Sequence, residues 1–139
     1  MTAIAALTLA DGQATPISHT FSPVNIDQAG VAKWADRSGG IALGYPTVTF
    51  SMRQPTKASR NYRVTAKVTL PILEQTSAST ATGIQPAPTK AYDLLCNLEF
   101  VLPERSTLVQ RNDLLAYVKN YLANAAVIPP AIQNFESIY

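Results

Sequence analysis

The stretch Asn61-Tyr62-Arg63-Val64-Thr65-Ala66-Lys67-Val68-Thr69-Leu70 alternates without a break. Asn61, Arg63, Thr65, Lys67 and Thr69 share one parity, and Tyr62, Val64, Ala66, Val68 and Leu70 share the other. Successive side chains of a strand point to opposite faces, so this stretch predicts a strand with one polar and one apolar side. Its neighbours repeat the pattern. Upstream, Thr47, Thr49, Ser51 and Arg53 alternate with Val48, Phe50 and Met52. Downstream, Asp93, Leu95, Asn97, Glu99 and Val101 alternate with Tyr92, Leu94, Cys96, Leu98, Phe100 and Leu102. Three strands in agreement predict an antiparallel sheet that buries one face and leaves the other polar.

Residues 3–10 and 13–21 flank Asp11-Gly12, a pair that suits a two-residue hairpin turn, so the chain is expected to open with a β-hairpin over residues 1–21. A further strand is predicted at Gly30-Val31-Ala32-Lys33-Trp34-Ala35, ended by Gly39-Gly40. Residues 75–90 are a run of Ser, Thr, Ala and Pro too poor in large apolar groups to pack, which predicts a long exposed loop inside a sheet region spanning 31–102. Loops of this length inside a small domain tend to be functional or disordered. After Pro103 the period becomes helical. Leu108, Leu115, Val118 and Leu122 form one stripe, widened by Leu114 and Tyr121, and Thr107 with Gln110 fits a capping box. Pro129-Pro130 can open a second short helix through Ile132, Phe135 and Ile138, because proline is tolerated in a first turn. Strands first and helices last, over 106–139, make the fold class α+β, with helices covering one face of the sheet in a single domain of 1–139.

Of the 139 residues, 47% are hydrophobic and 14% charged, with Lys+Arg 11 against Asp+Glu 9 and a formal net charge of +2. An ordinary globular domain carries roughly 25% charged residues. Disorder from self-repelling charge is therefore excluded, and a chain so poor in charge is expected to bury much of its exterior against copies of itself. No apolar run approaches the roughly 20 residues that cross a bilayer, so no membrane partner is expected. The apolar N-terminal residues 1–9 have no basic region before them and no cleavage signature, unlike a secretory signal. The single cysteine, Cys96, excludes an internal disulfide and a cysteine-cluster metal site, and suits a reducing cytoplasm.

The inventory for catalysis is thin. His19 is the only histidine and cannot by itself build a histidine metal site; it reads as a hairpin or contact residue. Neither phosphate-binding glycine pattern occurs. Asp93 and Glu99 lie six residues apart on one strand, roughly 20 Å, too far to act as a glycosidase pair. Cys96 falls on the apolar parity, where a buried, inert thiol is expected. No enzyme and no cofactor are predicted. The polar face is more informative: Arg53, Arg63 and Lys67 can neutralise phosphates, while Thr47, Thr49, Ser51, Asn61, Thr65 and Asn97 can hydrogen-bond bases or the ribose hydroxyl. A solvated sheet face would show the same pattern, and a net charge of +2 does not decide between them.

Several strings, in order and similarly spaced, resemble the coat proteins of single-stranded RNA bacteriophages, the levivirus group. They are Gly30-Val31-Ala32-Lys33-Trp34, Thr49-Phe50-Ser51-Met52-Arg53-Gln54, Arg60-Asn61-Tyr62-Arg63-Val64, Leu95-Cys96-Asn97-Leu98-Glu99-Phe100, and Ile128-Pro129-Pro130-Ala131-Ile132 with Ile138-Tyr139. The resemblance covers essentially the whole chain. It implies an N-terminal hairpin, a five-stranded antiparallel sheet and two C-terminal helices, interlocked as a homodimer with a continuous ten-stranded sheet. Such dimers build an icosahedral shell, typically T=3, around a single-stranded RNA genome, with one minor virion protein, and assemble in the bacterial host cytoplasm. The loop at 75–90 would meet its copies around the symmetry axes, one sequence in several conformations. Carried over by position, the face that binds an operator RNA hairpin and represses translation comprises Thr49, Ser51, Arg53, Asn61, Arg63, Thr65, Asn97 and Glu99, with Lys67 as a further phosphate contact. Leu95 stands where the family has a stacking tyrosine, so the cognate hairpin should be read differently. A dimeric RNA-binding regulator that never assembles is the alternative from another class, and a small enzyme or ligand-binding domain is the third.

Overall fold

The computed structural model describes residues 2–74 and 87–137. Six strands, β1 (Leu7–Ala10), β2 (Ser18–Ile26), β3 (Ala32–Ala35), β4 (Thr47–Arg53), β5 (Asn61–Glu74) and β6 (Thr89–Pro103), lie side by side in chain order. The first four pairings, from β1–β2 to β4–β5, are antiparallel. Strand β2 serves two partners. Its first half pairs with β1 as a hairpin, while Ser22 to Ile26 pair with β3, so β2 to β6 make the expected five-stranded sheet. The register slips between Pro23 and Asn25, where proline has no N–H to give to a ladder.

Strand β4 occupies the predicted residues. Strand β5 runs four residues beyond Leu70, through Pro71 to Glu74, and β6 starts at Thr89 rather than Tyr92. The loop predicted at 75–90 therefore loses Thr89 and Lys90 to β6, and residues 75–86 lie outside the described part of the chain. The two-residue turn at Asp11-Gly12 is not formed. Ala10 pairs with Ser18, which leaves a seven-residue connection between the strands. Asp11 organises this wider turn: its Oδ1 accepts the N–H groups of Gln13 at 3.3 Å and Ile17 at 2.9 Å, and its own N–H donates to the Ile17 carbonyl at 2.9 Å. A side chain that can hold two amides favours the open turn over the tight one.

Gly30 and Gly40 take positive φ values of 78° and 75°, closing the β2–β3 turn and the turn after β3 where a side chain would be strained. A short 3-10 turn, Ala42–Gly44, follows and approaches β5 closely: a Cβ on Gly44 would stand 2.8 Å from Leu73 Cδ1. Strand β3 forms the centre of the small core. Among the described residues only Phe21, Trp34 and Ala35 are buried apolar side chains, and Trp34 Nε1 donates to the Ala5 carbonyl at 2.7 Å, fixing the chain ahead of β1.

The helical unit begins at Leu102. Helix α1 (Leu108–Leu122) opens with the predicted capping box: Thr107 Oγ1 accepts from the Gln110 N–H at 3.3 Å and Gln110 Oε1 accepts from the Thr107 N–H at 3.0 Å. Helix α2 (Ile128–Asn134) carries both prolines in its first turn. It stops before the predicted Phe135, which takes a left-handed conformation with φ 58° and closes the helix by donating its N–H to the Pro130 carbonyl. Ile138 lies outside the described residues. No described helix is long and apolar enough to cross a membrane.

Candidate nucleic-acid interface

Directly opposite residues of an antiparallel pair project to the same side, so the ladder decides which side chains share a face. In β4 and β5 Thr49 opposes Lys67, Ser51 opposes Thr65, and Arg53 opposes Arg63. Asn61 continues this parity along β5. Strand β6 joins the same face through an ion pair, Arg63 Nη1 to Glu99 Oε1 at 3.1 Å, with Asn97 on the same parity. All nine residues singled out in the sequence therefore belong to one side of three adjacent strands. Arg53, Arg63, Asn97 and Glu99 are exposed, whereas Thr49, Ser51, Asn61, Thr65 and Lys67 are half-buried among their neighbours.

The register adds a cation that alternation within the long strands did not reveal. Lys33 on β3 opposes Thr49, and Asn25 on β2 opposes Lys33, so Asn25, Lys33, Thr49 and Lys67 form one row across four strands. Lys33 and Lys67 stand two strand spacings apart, roughly 10 Å. The sequence did carry a signal in Ala32-Lys33-Trp34, polar between apolar residues, but a four-residue strand is too short to announce its face without its partner's register.

Arg53 opposite Arg63 places two cations side by side, which costs stability unless an anion stands near. Glu99 supplies one negative charge from β6. Both members of the Arg63–Glu99 pair are 49% exposed, so the pair is screened and exchangeable rather than a structural lock. The end of the sheet that carries Arg53 and Arg63 thus has the chemistry of an anion site with a built-in counterion. Leu95 is exposed on the same parity, an apolar side chain among polar ones.

The reverse face has the opposite character. Phe50, Val68 and Leu70 are exposed, with Met52 50% and Leu94 52% accessible. Cys96, expected to be buried on this side, is also exposed, as is every residue of β6 from Thr89 to Asn97. Helix α1 has no buried residue, and Leu108, Leu115 and Leu122 of its apolar stripe are exposed as well. Apolar surface on this scale marks a face that meets another protein surface.

The family model described as levivirus coat protein matches residues 2–139. The capsid protein of Pseudomonas phage PRR1 is 28% identical over 135 residues, which cover 96% of both chains. Among solved structures, the virus-like particle of bacteriophage ESE058 matches with a TM-score of 0.89 and 32% identity, covering 99% of this chain and 100% of the other. The virus-like particle of bacteriophage NT-214 matches with a TM-score of 0.86 and 30% identity over the same shares of the two chains.

Proposed function

Because this chain belongs to the levivirus coat protein family, a structural, non-enzymatic component of the virion, we propose how its sheet does that work: as interlocked dimers that close a T=3-type shell around single-stranded RNA. The observation that carries the reading is one sheet with two faces of opposed chemistry. Its apolar side, with Met52 and Leu94 half exposed, is the surface that a second copy covers. Its polar side, with the Lys33, Lys67, Arg53 and Arg63 cations, is left for nucleic acid.

The whole chain, 1–139, acts as one coat domain. Strand β6 is the last in the sheet order and offers fifteen residues of edge backbone, from Thr89 to Pro103, for pairing with its copy into a ten-stranded sheet. On the polar side Arg53, Arg63, Lys33 and Lys67 contact phosphates, while Thr49, Ser51, Asn61, Thr65 and Asn97 position unpaired bases. Glu99 pairs loosely with Arg63 and yields to a phosphate of the right geometry, which favours a folded RNA hairpin over arbitrary single strands. Binding of that hairpin represses translation. One minor virion protein joins the shell, and assembly takes place in the bacterial host cytoplasm.

Expression of the chain in bacteria followed by electron microscopy, with the nucleic acid extracted from the purified particles, tests the reading. Closed shells containing RNA are expected. Small particles alone, at all concentrations, would overturn the shell and favour a dimeric RNA-binding regulator.

A further inference from the structure

His19, the only histidine of the chain, stands between two carboxylates. Its Nδ1 lies 2.9 Å from Asp36 Oδ2 and its Nε2 lies 3.2 Å from Asp11 Oδ2. Each aspartate spends its other oxygen on its own turn: Asp11 Oδ1 accepts the Gln13 and Ile17 N–H groups, and Asp36 Oδ1 accepts the Ser38 N–H at 2.9 Å. The ring thus ties the β1–β2 turn to the segment that follows β3. The Asp36 side chain is 7% exposed and is the one buried charged residue among those described.

A neutral imidazole has one N–H and one lone pair, and an ionised carboxylate only accepts. A lone pair aimed at a carboxylate oxygen 3 Å away is repulsive, so this geometry is satisfied when both ring nitrogens carry protons. The three residues edge an apolar hollow of about 370 Å³ walled by Leu9, Phe21, Pro46, Val68 and Leu70. Val68 and Leu70 belong to the exposed apolar face.

We propose that Asp11, His19 and Asp36 form a proton-dependent clasp that fixes the hairpin turn at the rim of this hollow, so that association of the chains is tightest while His19 is protonated. The consequence for association rests on the shell reading; the clasp itself does not.

The sign follows from the neighbours. Hydrogen bonds to Asp11 and then Asp36 hold the His19 ring above its usual 6.5, against a smaller opposing effect of desolvation. Asp11 is held below the usual 3.8 chiefly by the Ile17 N–H, and Asp36 chiefly by the Ser38 N–H, with His19 adding to both. Those two carboxylates are the titratable groups acting on the ring, and the walls from the remaining elements are uncharged. The histidine contribution is complete below its unfolded value and is lost as pH rises through the higher folded one. The aspartate contribution is present above about 3.8 and lost as pH falls. The clasp is closed between these limits.

With one histidine in the chain, NMR of the purified protein labelled with 15N-histidine, whether as particles or as smaller species, reads the ring directly. Two protonated nitrogens at pH 6 and a titration midpoint above 6.5 are expected; a neutral ring at pH 6 overturns the clasp. Thermal midpoints at pH 6 and pH 9 are then compared for the wild type and His19→Gln. The wild type should lose several degrees more than the variant, whereas equal losses overturn the proposal. If His19→Gln does not fold, the wild-type ring titration decides alone. Dissociation of intact particles, followed by light scattering over the same pH range, tests the coupling to association. Particles of both proteins with the same pH dependence would refute that coupling. Failure of the wild type to form particles at any pH would refute the shell while the ring titration still judges the clasp.

Discussion

Arg63 on β5 pairs with Glu99 on β6, and both side chains are half exposed. Alternation gives a side chain its face; only the β5–β6 pairing brings Glu99, thirty-six positions away, to 3.1 Å. The two residues should respond to mutation in opposite directions. Arg63→Ala removes a phosphate contact, so RNA affinity should fall and the slope of log affinity against log salt should flatten by about 0.7 to 1. A titration series between low and moderate salt measures both, and an unchanged slope would remove Arg63 from the interface. Glu99→Gln frees Arg63 and removes a like charge from the RNA, so binding to unrelated single strands should tighten by less than about 1 kcal/mol, the small value reflecting an exposed pair. Gly44 shows a different limit of residue-level reading. Its need is not a positive φ but the approach of Leu73, 2.8 Å from where a Cβ would stand, and no local pattern reports a contact between residues 29 positions apart. Gly44→Ala should destabilise the fold by about 1 kcal/mol, because the end of the half-buried Leu73 side chain must move aside, read as a lowered denaturation midpoint.

At the scale of elements, the sequence served best where one local rule acted alone. Strand β4 and the start of α1 fall where period and capping chemistry put them, because Thr107 and Gln110 satisfy each other within a single turn. The same reasoning failed at the first hairpin. Asp11-Gly12 has the composition of a tight turn, yet the Asp11 carboxylate holds the amides of Gln13 and Ile17 and meets His19, whose ring also reaches Asp36, seventeen positions away. It failed again at the end of α2, where the apolar spacing ran on through Phe135 but the backbone turned left-handed at that residue. The capping box offers a clean test of element stability. Thr107→Ala removes the acceptor for the Gln110 N–H and should cost about 1 kcal/mol, whereas Thr107→Ser should cost little. The loss should appear in urea unfolding as a lowered midpoint with an unchanged slope; equal midpoints for the two variants would mean that the helix start is held by other contacts.

For the whole molecule, the feature most legible in composition was that one chain does not finish its own core. A chain with 14% charged residues and 47% hydrophobic ones was expected to hide surface against copies of itself, and the structure buries only Phe21, Trp34 and Ala35 among its described apolar residues. Such a core supplies little of what is needed to offset the conformational entropy of a domain this size. What composition left open was where the missing cover must lie. The ladder answers that by placing Phe50, Val68 and Leu70 together opposite the cation face, exposed in the single chain. In the proposed dimer, folding and association are then one transition, with no stable free monomer. Phe50→Asp separates this from an independently folded chain. On the surface of a true monomer an exposed strand Phe replaced by Asp costs about 1 kcal/mol. At a covered interface the same change buries an unpaired carboxylate against apolar side chains, at a cost of several kcal/mol. The variant should therefore yield unfolded or aggregated chain rather than soluble folded monomer, and circular dichroism with sedimentation measures which. A folded, monodisperse single chain carrying Asp at position 50 would show that the apolar face needs no partner, and the interlocked dimer would fall with it.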